Sequence, residues 1–201
     1  LQYSKQNYGM TSIEALDSID FFNGRTIAAH VVWPTKKEIA ILANKNVGVV
    51  HNPTSNMNLA SGVSPIADML EAGVLIGLGT DGAASNNDLD MWEEMRLAAL
   101  LQKVTKMDPE ALPANTILRM ATTNGAHIIG LGNKIGRLEV GMEADIIQIE
   151  FSDVHHQPNY DIASHLVYVT DEQDVITVIV NGKLIMHKNE FYTLDTNRIS
   201  R

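Results

Sequence analysis

The feature that most restricts the fold is a set of three short apolar runs, at residues 26–32, 47–50 and 74–78, separated by helix signals. Apolar runs of this length, bounded by turn or cap residues, read as buried strands. Between the first two, Thr35 and Glu38 spell a capping box, which satisfies two orphan backbone N–H groups and predicts a helix to about Ala43. Between the second and third, Ser64 followed by Pro65 predicts an N-cap with proline at the first helical position, and Gly73 a C-terminal stop. After the third, Trp92, Met95 and Ala99 recur at helical spacing and give an amphipathic helix to about Lys103. An earlier capping box, Thr11 with Glu14, opens a short helix to about Asp17. Strands and helices alternating at such short spacing imply parallel strands joined by crossovers.

The remainder changes character. Asp108-Pro109 and Leu112-Pro113 predict helix starts, and residues 113–129 read as a helix. After Gly136 short β segments follow at 137–140, 145–150, 175–180 and 183–186. Asn181-Gly182, between the last two, is a hairpin signal because both turn positions tolerate positive φ. The expected organisation is an α/β portion over residues 1–135 and a small β-rich portion over 136–201.

Composition narrows the chemistry. The 201 residues are 45% apolar and 19% charged, which is globular and not disordered. No apolar run reaches the roughly 18 residues of a membrane span, and residues 1–12 have neither the basic start nor the apolar core of a secretory leader. A cytoplasmic protein without a membrane partner is the expectation. The net charge of −9 argues against nucleic acid, whose affinity for proteins is built from Lys and Arg. Cysteine is absent, so disulfides, a thiolate nucleophile and Cys-ligated zinc are excluded, and any metal must sit on His, Asp or Glu. Leu1 stands where Met is usual and the chain opens in polar sequence, which points to a fragment or a processed product.

Ligands of parallel α/β sheets bind at the carboxyl ends of the strands. The first apolar run carries His30, the second leads into His51, and the third leads into Asp81. Imidazole ligates divalent metals or moves protons near neutral pH, and a carboxylate does either. Taken singly, each has a plain structural reading: a hydrogen-bonded histidine, or an aspartate that forms a turn. Placed together at one end of successive strands, they converge on one pocket. His155-His156 lies in a polar stretch and is expected to be solvated, while His127, His165 and His187 have no partner at ligand spacing and are expected to be structural. Gly77-Leu78-Gly79-Thr80-Asp81-Gly82 matches the dinucleotide pattern G-x-G-x-x-G, but residues 83–88 separate it from the next helix and Asp81 would confront a diphosphate. A nucleotide cofactor is therefore not expected.

Three phrases resemble a known family: Ala28-Ala29-His30, His51-Asn52-Pro53-Thr54-Ser55-Asn56-Met57, and Gly79-Thr80-Asp81-Gly82-Ala83-Ala84-Ser85-Asn86-Asn87. They are similar to the last three barrel strands of the amidohydrolase superfamily, and most of all to its 5-methylthioadenosine/S-adenosylhomocysteine deaminase group, whose relatives include chlorohydrolases and guanine deaminases. Glu93-Glu94-Met95-Arg96-Leu97-Ala98 resembles the helix after the final strand, and Gly136-Arg137-Leu138-Glu139-Val140-Gly141-Met142-Glu143-Ala144-Asp145-Ile146 resembles the return to an accessory β domain. The resemblance implies the C-terminal part of a (β/α)8 barrel followed by a small accessory β portion, with one divalent metal, usually zinc, at the barrel mouth. It implies that Asp81 is a metal ligand and proton carrier, and that His30 holds the attacking water. His51 matches a position behind the ligands, and with Asp81 and Ser85 it is expected at the substrate. The implied reaction is hydrolytic deamination of an adenosine-type nucleoside, by metal-hydroxide attack at C6, to an inosine-type product and ammonia.

The chain departs from that family in what it lacks. It holds no His-x-His pair, and its one His-x-x-Glu, His187 with Glu190, lies near the C-terminus and away from the place the family requires. A complete barrel takes about 250 residues and only about 135 here are available to one. The expectation is thus a C-terminal half with one of four metal ligands, inactive and unable to hold zinc tightly at Asp81 alone. It is expected to associate with the missing N-terminal half or with itself. Val31 stands where relatives often have Cys, and Asn58 where they often have Lys. Two other functions stay open: a related enzyme acting on another heteroaromatic ring, as a chlorohydrolase or guanine deaminase does, and a non-catalytic half-barrel serving as an interaction module.

Overall fold

The computed structural model describes residues 2–199. After two short helices, α1 (Gln2–Tyr8) and α2 (Ser12–Ser18), the chain alternates β1 (Ile27–Ala29), α3 (Lys36–Asn44), β2 (Gly48–His51), α4 (Pro53–Asn58), α5 (Ile66–Glu71) and β3 (Ile76–Leu78). The three strands form one parallel sheet in the order β1-β2-β3, with Ala28 opposite Val49 and Val50 opposite Gly77. Both capping boxes form as the sequence predicts. In α3 the Thr35 hydroxyl accepts from the Glu38 N–H while the Glu38 carboxylate accepts from the Thr35 N–H at 2.7 Å.

Beyond β3 come α6 (Ala83–Asn86), the long α7 (Met91–Lys106) and α8 (Ala114–Arg119). Helix α8 runs through a π-helical stretch, Met120–Asn124, into α9 (Gly125–Ile128), so the helix expected over 113–129 exists with a widened middle. The threonines there explain the widening. Thr122 donates its hydroxyl to the Leu118 carbonyl at 2.6 Å, competing with the backbone for the same acceptor, and Asn124 reaches across to the Ile76 carbonyl of β3 at 2.9 Å. The sheet meets this helix on a floor of glycine. A Cβ at Gly48 would stand 2.8 Å from Ile128 Cγ1, and one at Gly77 3.0 Å from Ile128 Cδ1. The core joins Val49, Ile76, Leu42, Ile66, Met69, Met95, Ile117 and Met120, all nearly or fully buried.

The second sheet is antiparallel: β4 (Ile146–Ile149), β5 (Val175–Val180), β6 (Lys183–His187) and β7 (Glu190–Phe191), in that order. Asn181 and Gly182 take φ values of 48° and 72°, the mirror-image turn the sequence predicts. Between β4 and β5, α10 (Ile162–Tyr168) packs back on α7 and α8, and α11 (Thr196–Ile199) lies near the end. Among the described residues no helix is long and apolar enough to cross a membrane.

Besides the expected gap between Gly82 and the next helix, which α6 closes by starting at Ala83, four local expectations need correction. Ser64 caps nothing; its hydroxyl donates to the Val31 carbonyl at 2.8 Å and ties the loop after β1 to α5. Asp108-Pro109 opens a turn, not a helix, with the Asp108 carboxylate accepting from the Glu110 N–H. Residues 137–140 form no strand, because Arg137 is engaged by the Gly132 carbonyl and Glu139, while Leu138 and Val140 face solvent. The fourth concerns His155-His156, which is partly buried and not a solvated loop: His156 has no exposed surface.

Candidate active site

The carboxyl ends of β1, β2 and β3 lie side by side, and each hands the chain to a polar residue. The backbone bends sharply there. His30 and Asp81 sit at φ 67° and 64°, the left-handed region, where the sheet pairing ends and the chain turns off. This conformation costs an L-residue about 1–2 kcal/mol, and Asp bears it more easily than most. Pairing continues one step past each strand, with His30 N–H donating to the Val50 carbonyl at 2.9 Å and Gly79 N–H to the His51 carbonyl at 3.0 Å. These bonds fix where the two side chains emerge.

The Asp81 carboxylate is the centre of the polar network. Its Oδ2 accepts from the Ser55 hydroxyl at 2.7 Å and the Ser85 hydroxyl at 2.8 Å. Those two donors, then the Gly82 N–H and the neighbouring His30, hold the carboxyl down to about 2 against a small opposing effect of burial. Asp81 is therefore ionised throughout the neutral range, and its side chain remains 36% exposed. His30 Nε2 lies 3.8 Å from Asp81 Oδ2. Its other nitrogen, Nδ1, is 2.9 Å from Asn56 Oδ1. An amide oxygen only accepts, so Nδ1 carries a proton, and Nε2 is the nitrogen turned toward Asp81.

His51 occupies a different layer. It is fully buried, neither ring nitrogen has a hydrogen-bond partner among the described residues, and burial followed by repulsion from His30 pushes its pKa down to about 3. It is a neutral imidazole at any ordinary pH. Ser85, expected at the substrate, donates to Asp81 and also approaches the Gly82 carbonyl at 3.2 Å.

Residues to which the sequence gives no individual role do much of the positioning. Ser55 and Asn56 on α4 reach Asp81 and His30 across 26 positions of sequence. Glu94, on α7 and without exposed surface, accepts from the Thr54 N–H at 3.2 Å and from the Asn86 amide at 2.6 Å. Asn86 in turn donates to the Thr80 carbonyl at 2.8 Å, beside Asp81. Burial pushes the Glu94 carboxyl up, while the Thr54 and Asn86 hydrogen bonds pull it back. One buried carboxylate thus ties the α4 loop to the β3 loop. Asn58 adds a second tie, donating to the Ser85 carbonyl at 3.0 Å.

Parallel strands that present an ionised carboxylate and an oriented imidazole at their carboxyl ends define a site of the α/β-barrel class. The profile of the amidohydrolase family matches residues 1–185, and the chain belongs to that family. Over 195 residues it is 49% identical to a 5-methylthioadenosine/S-adenosylhomocysteine deaminase of Dictyoglomus thermophilum, covering 97% of this chain and 46% of that protein. It is 48% identical to a 5'-deoxyadenosine deaminase of Methanosarcina mazei, covering 97% and 45%. A crystal structure of a Xanthomonas campestris adenosine deaminase with bound zinc superimposes with a TM-score of 0.96 at 40% identity, covering 99% of this chain and 45% of that one. The fold is part of a (β/α)8 barrel followed by a small antiparallel sheet. The chain spans about half the length of the curated relatives it matches.

Proposed function

We propose that this chain is the C-terminal portion of a metal-dependent hydrolytic deaminase. Its substrates are adenosine-type nucleosides, 5'-methylthioadenosine and S-adenosylhomocysteine foremost, and its products are the inosine-type nucleosides and ammonia. The observation that carries the reading is the pairing of Asp81 and His30 at neighbouring strand ends, 3.8 Å apart, in a chain 49% identical to a deaminase of that class. The deaminase names of these relatives favour it over dechlorination of another ring.

The donor set suits a divalent ion, for which zinc in the Xanthomonas campestris structure is the precedent. Asp81 is ionised and partly exposed, with the His30 imidazole beside it. A lone carboxylate is an incomplete set, so the other ligands come from the remainder of the barrel. Such a metal, when bound, lowers the pKa of its water toward neutrality.

In this reading Asp81 would hold the metal, and its carboxylate would carry a proton from the attacking water to the departing amine. His30, its tautomer fixed by Asn56, accepts a hydrogen bond from the attacking water through Nε2. Ser55 and Ser85 aim the carboxylate, and Ser85 borders the space for the substrate. His51 stays neutral behind the strand ends and sets the shape of the pocket floor. Residues 1–135 contribute the barrel and 136–201 the accessory portion. Strands β1 and β3 are the two edges of the parallel sheet, with Ile27 of β1 half exposed, and are where the rest of the barrel pairs.

The test is ammonia release by the complete enzyme. Asp81→Asn is expected to abolish it together with the metal at the mouth, and His30→Gln to lower kcat about 10²–10⁴-fold with KM little changed. An Asp81→Asn enzyme that still deaminates overturns the proposal.

A further inference from the structure

A second cluster of metal-competent side chains lies away from the strand ends, in the segment between β4 and β5. His155 and His156 end a short 3₁₀ turn, Val154–His156, and Asp174 ends another, Glu172–Asp174, just before β5. Asp174 Oδ1 is 3.1 Å from His155 Nε2 and 3.2 Å from His156 Nε2, and the three ligand atoms lie within 4.8 Å of one another. Tetrahedral zinc bound at about 2.0–2.2 Å separates its ligand atoms by about 3.3–3.5 Å. The two spacings from the carboxylate fall close to the edges of such a site, and the two rings present their ligand atoms within 4.8 Å of each other.

The hydrogen bonding points the same way. His156 has no exposed surface, and its Nε2 makes no properly directed hydrogen bond despite the carboxylate 3.2 Å away. Its other nitrogen, Nδ1, lies 2.7 Å from Nε2 of His165, a residue of α10. When Nδ1 donates that bond, the His156 Nε2 lone pair is left facing a carboxylate oxygen, an arrangement that a cation between them relieves. Asp174 is prepared for the part: its Oδ2 accepts from the Asp171 N–H at 2.8 Å, which leaves Oδ1 for the two rings. A ligand imidazole and a ligand carboxylate oriented by a further partner are what stable metal sites require. The Phe151 ring lies 4.8 Å from that of His156 and 5.3 Å from that of His165 and closes one side. The other side is open, since the His155 side chain is 48% exposed.

We propose that His155, His156 and Asp174 form a divalent-cation site for zinc, with the fourth position open to water and His165 orienting His156. The site is separate from the one at Asp81. It ties the loop before α10 to the lead-in of β5, while α10 itself is packed against α7 and α8. A cation there clamps the small sheet's connection to the helical layer, which makes the site structural.

The experiment is zinc counting by mass spectrometry on the complete enzyme after equilibration with zinc, with anomalous scattering at the zinc edge and melting temperature measured alongside. His155→Ala is the variant of choice because that side chain is half exposed and its loss leaves the buried pair packed. The expected result is one zinc fewer per chain than in the unaltered protein, loss of the zinc-dependent rise in Tm, and unchanged kcat. Asp81→Asn is expected to keep the zinc between His155, His156 and Asp174. A His155→Ala protein with the full zinc complement, or an anomalous map without a peak between the three side chains, overturns the inference. Failure of the deaminase proposal reads out separately, as activity or metal unaffected by Asp81→Asn.

Discussion

At Asp81 two hydroxyl groups converge on one carboxylate oxygen, and the energetic consequence is specific. Hydrogen bonds to the charged form lower its pKa, which here falls to about 2. Because the folded pKa lies below the ordinary value, the ionised form persists down to acidic pH, and the benefit disappears only as pH falls through about 2. Ser85→Ala removes one donor and raises that pKa. The titration profile of this carboxylate in the metal-free protein is then expected to move to higher pH, and kcat/KM of the complete enzyme to fall about three- to tenfold at neutral pH, the worth of one hydrogen bond to a charge near solvent. Ser55→Ala is expected to act in the same direction, and a profile that stays in place rules out this account of the carboxylate. His30 and Asp81 were legible in the sequence because each ends an apolar run. The partners of Ser55 and Asn56 were not, since these contacts span 26 positions and exist only once β1, β2 and β3 are aligned. The His155-His156 pair was misread for a related reason. Its sequence neighbours are polar, and its burial depends on Phe151, His165 and Asp174.

Element by element, local chemistry was readable wherever it acts within one turn. The boxes at Thr11 and Thr35 and the Asn181-Gly182 turn need only their own neighbours. The π stretch at Met120–Asn124 and helix α10 were missed, the first because Asn124 must meet Ile76 on a strand and the second because only its cap, Asp161, carries a local signal. The glycines of the parallel strands belong with these long-range features. Gly48 leaves room for Ile128, whose Cβ itself would lie 3.2 Å from an added methyl, so a rotamer change alone cannot clear the space. Gly48→Ala is expected to destabilise the protein by about 1–3 kcal/mol through overpacking. In an Ile128→Ala background, already weakened by about 2–5 kcal/mol through the cavity, the same change is expected to cost less, because the two closest contacts are gone and only the one to Cβ at 3.2 Å remains. Denaturant midpoints of the four proteins in this cycle measure the coupling. Additive effects would mean that α9 is not held against the sheet by this contact.

For the whole molecule, the decisive fact is that a closed barrel has no sheet edge, whereas this chain has a three-stranded parallel sheet with β1 and β3 at its two borders. Ile27 on β1 is 48% exposed and Trp33, just beyond it, 67% exposed. Apolar side chains beside unpaired strand groups favour association. The sequence relatives are about twice as long as this chain, and the match to them runs through nearly all of it. Expressed as these 201 residues alone, the protein is expected to self-associate in light scattering and to release no ammonia from adenosine-type substrates. Adding the preceding barrel strands in trans is expected to shift the population toward a defined complex, with activity appearing in step with it, because the missing ligands and the missing strand partners arrive together. A stable, monodisperse monomer would mean that the β1 edge is already satisfied, and the half-barrel proposal would fall with it. Zinc bound by that monomer at His155, His156 and Asp174 would remain compatible with either outcome, since those residues depend on α10 and β5 and not on the barrel mouth.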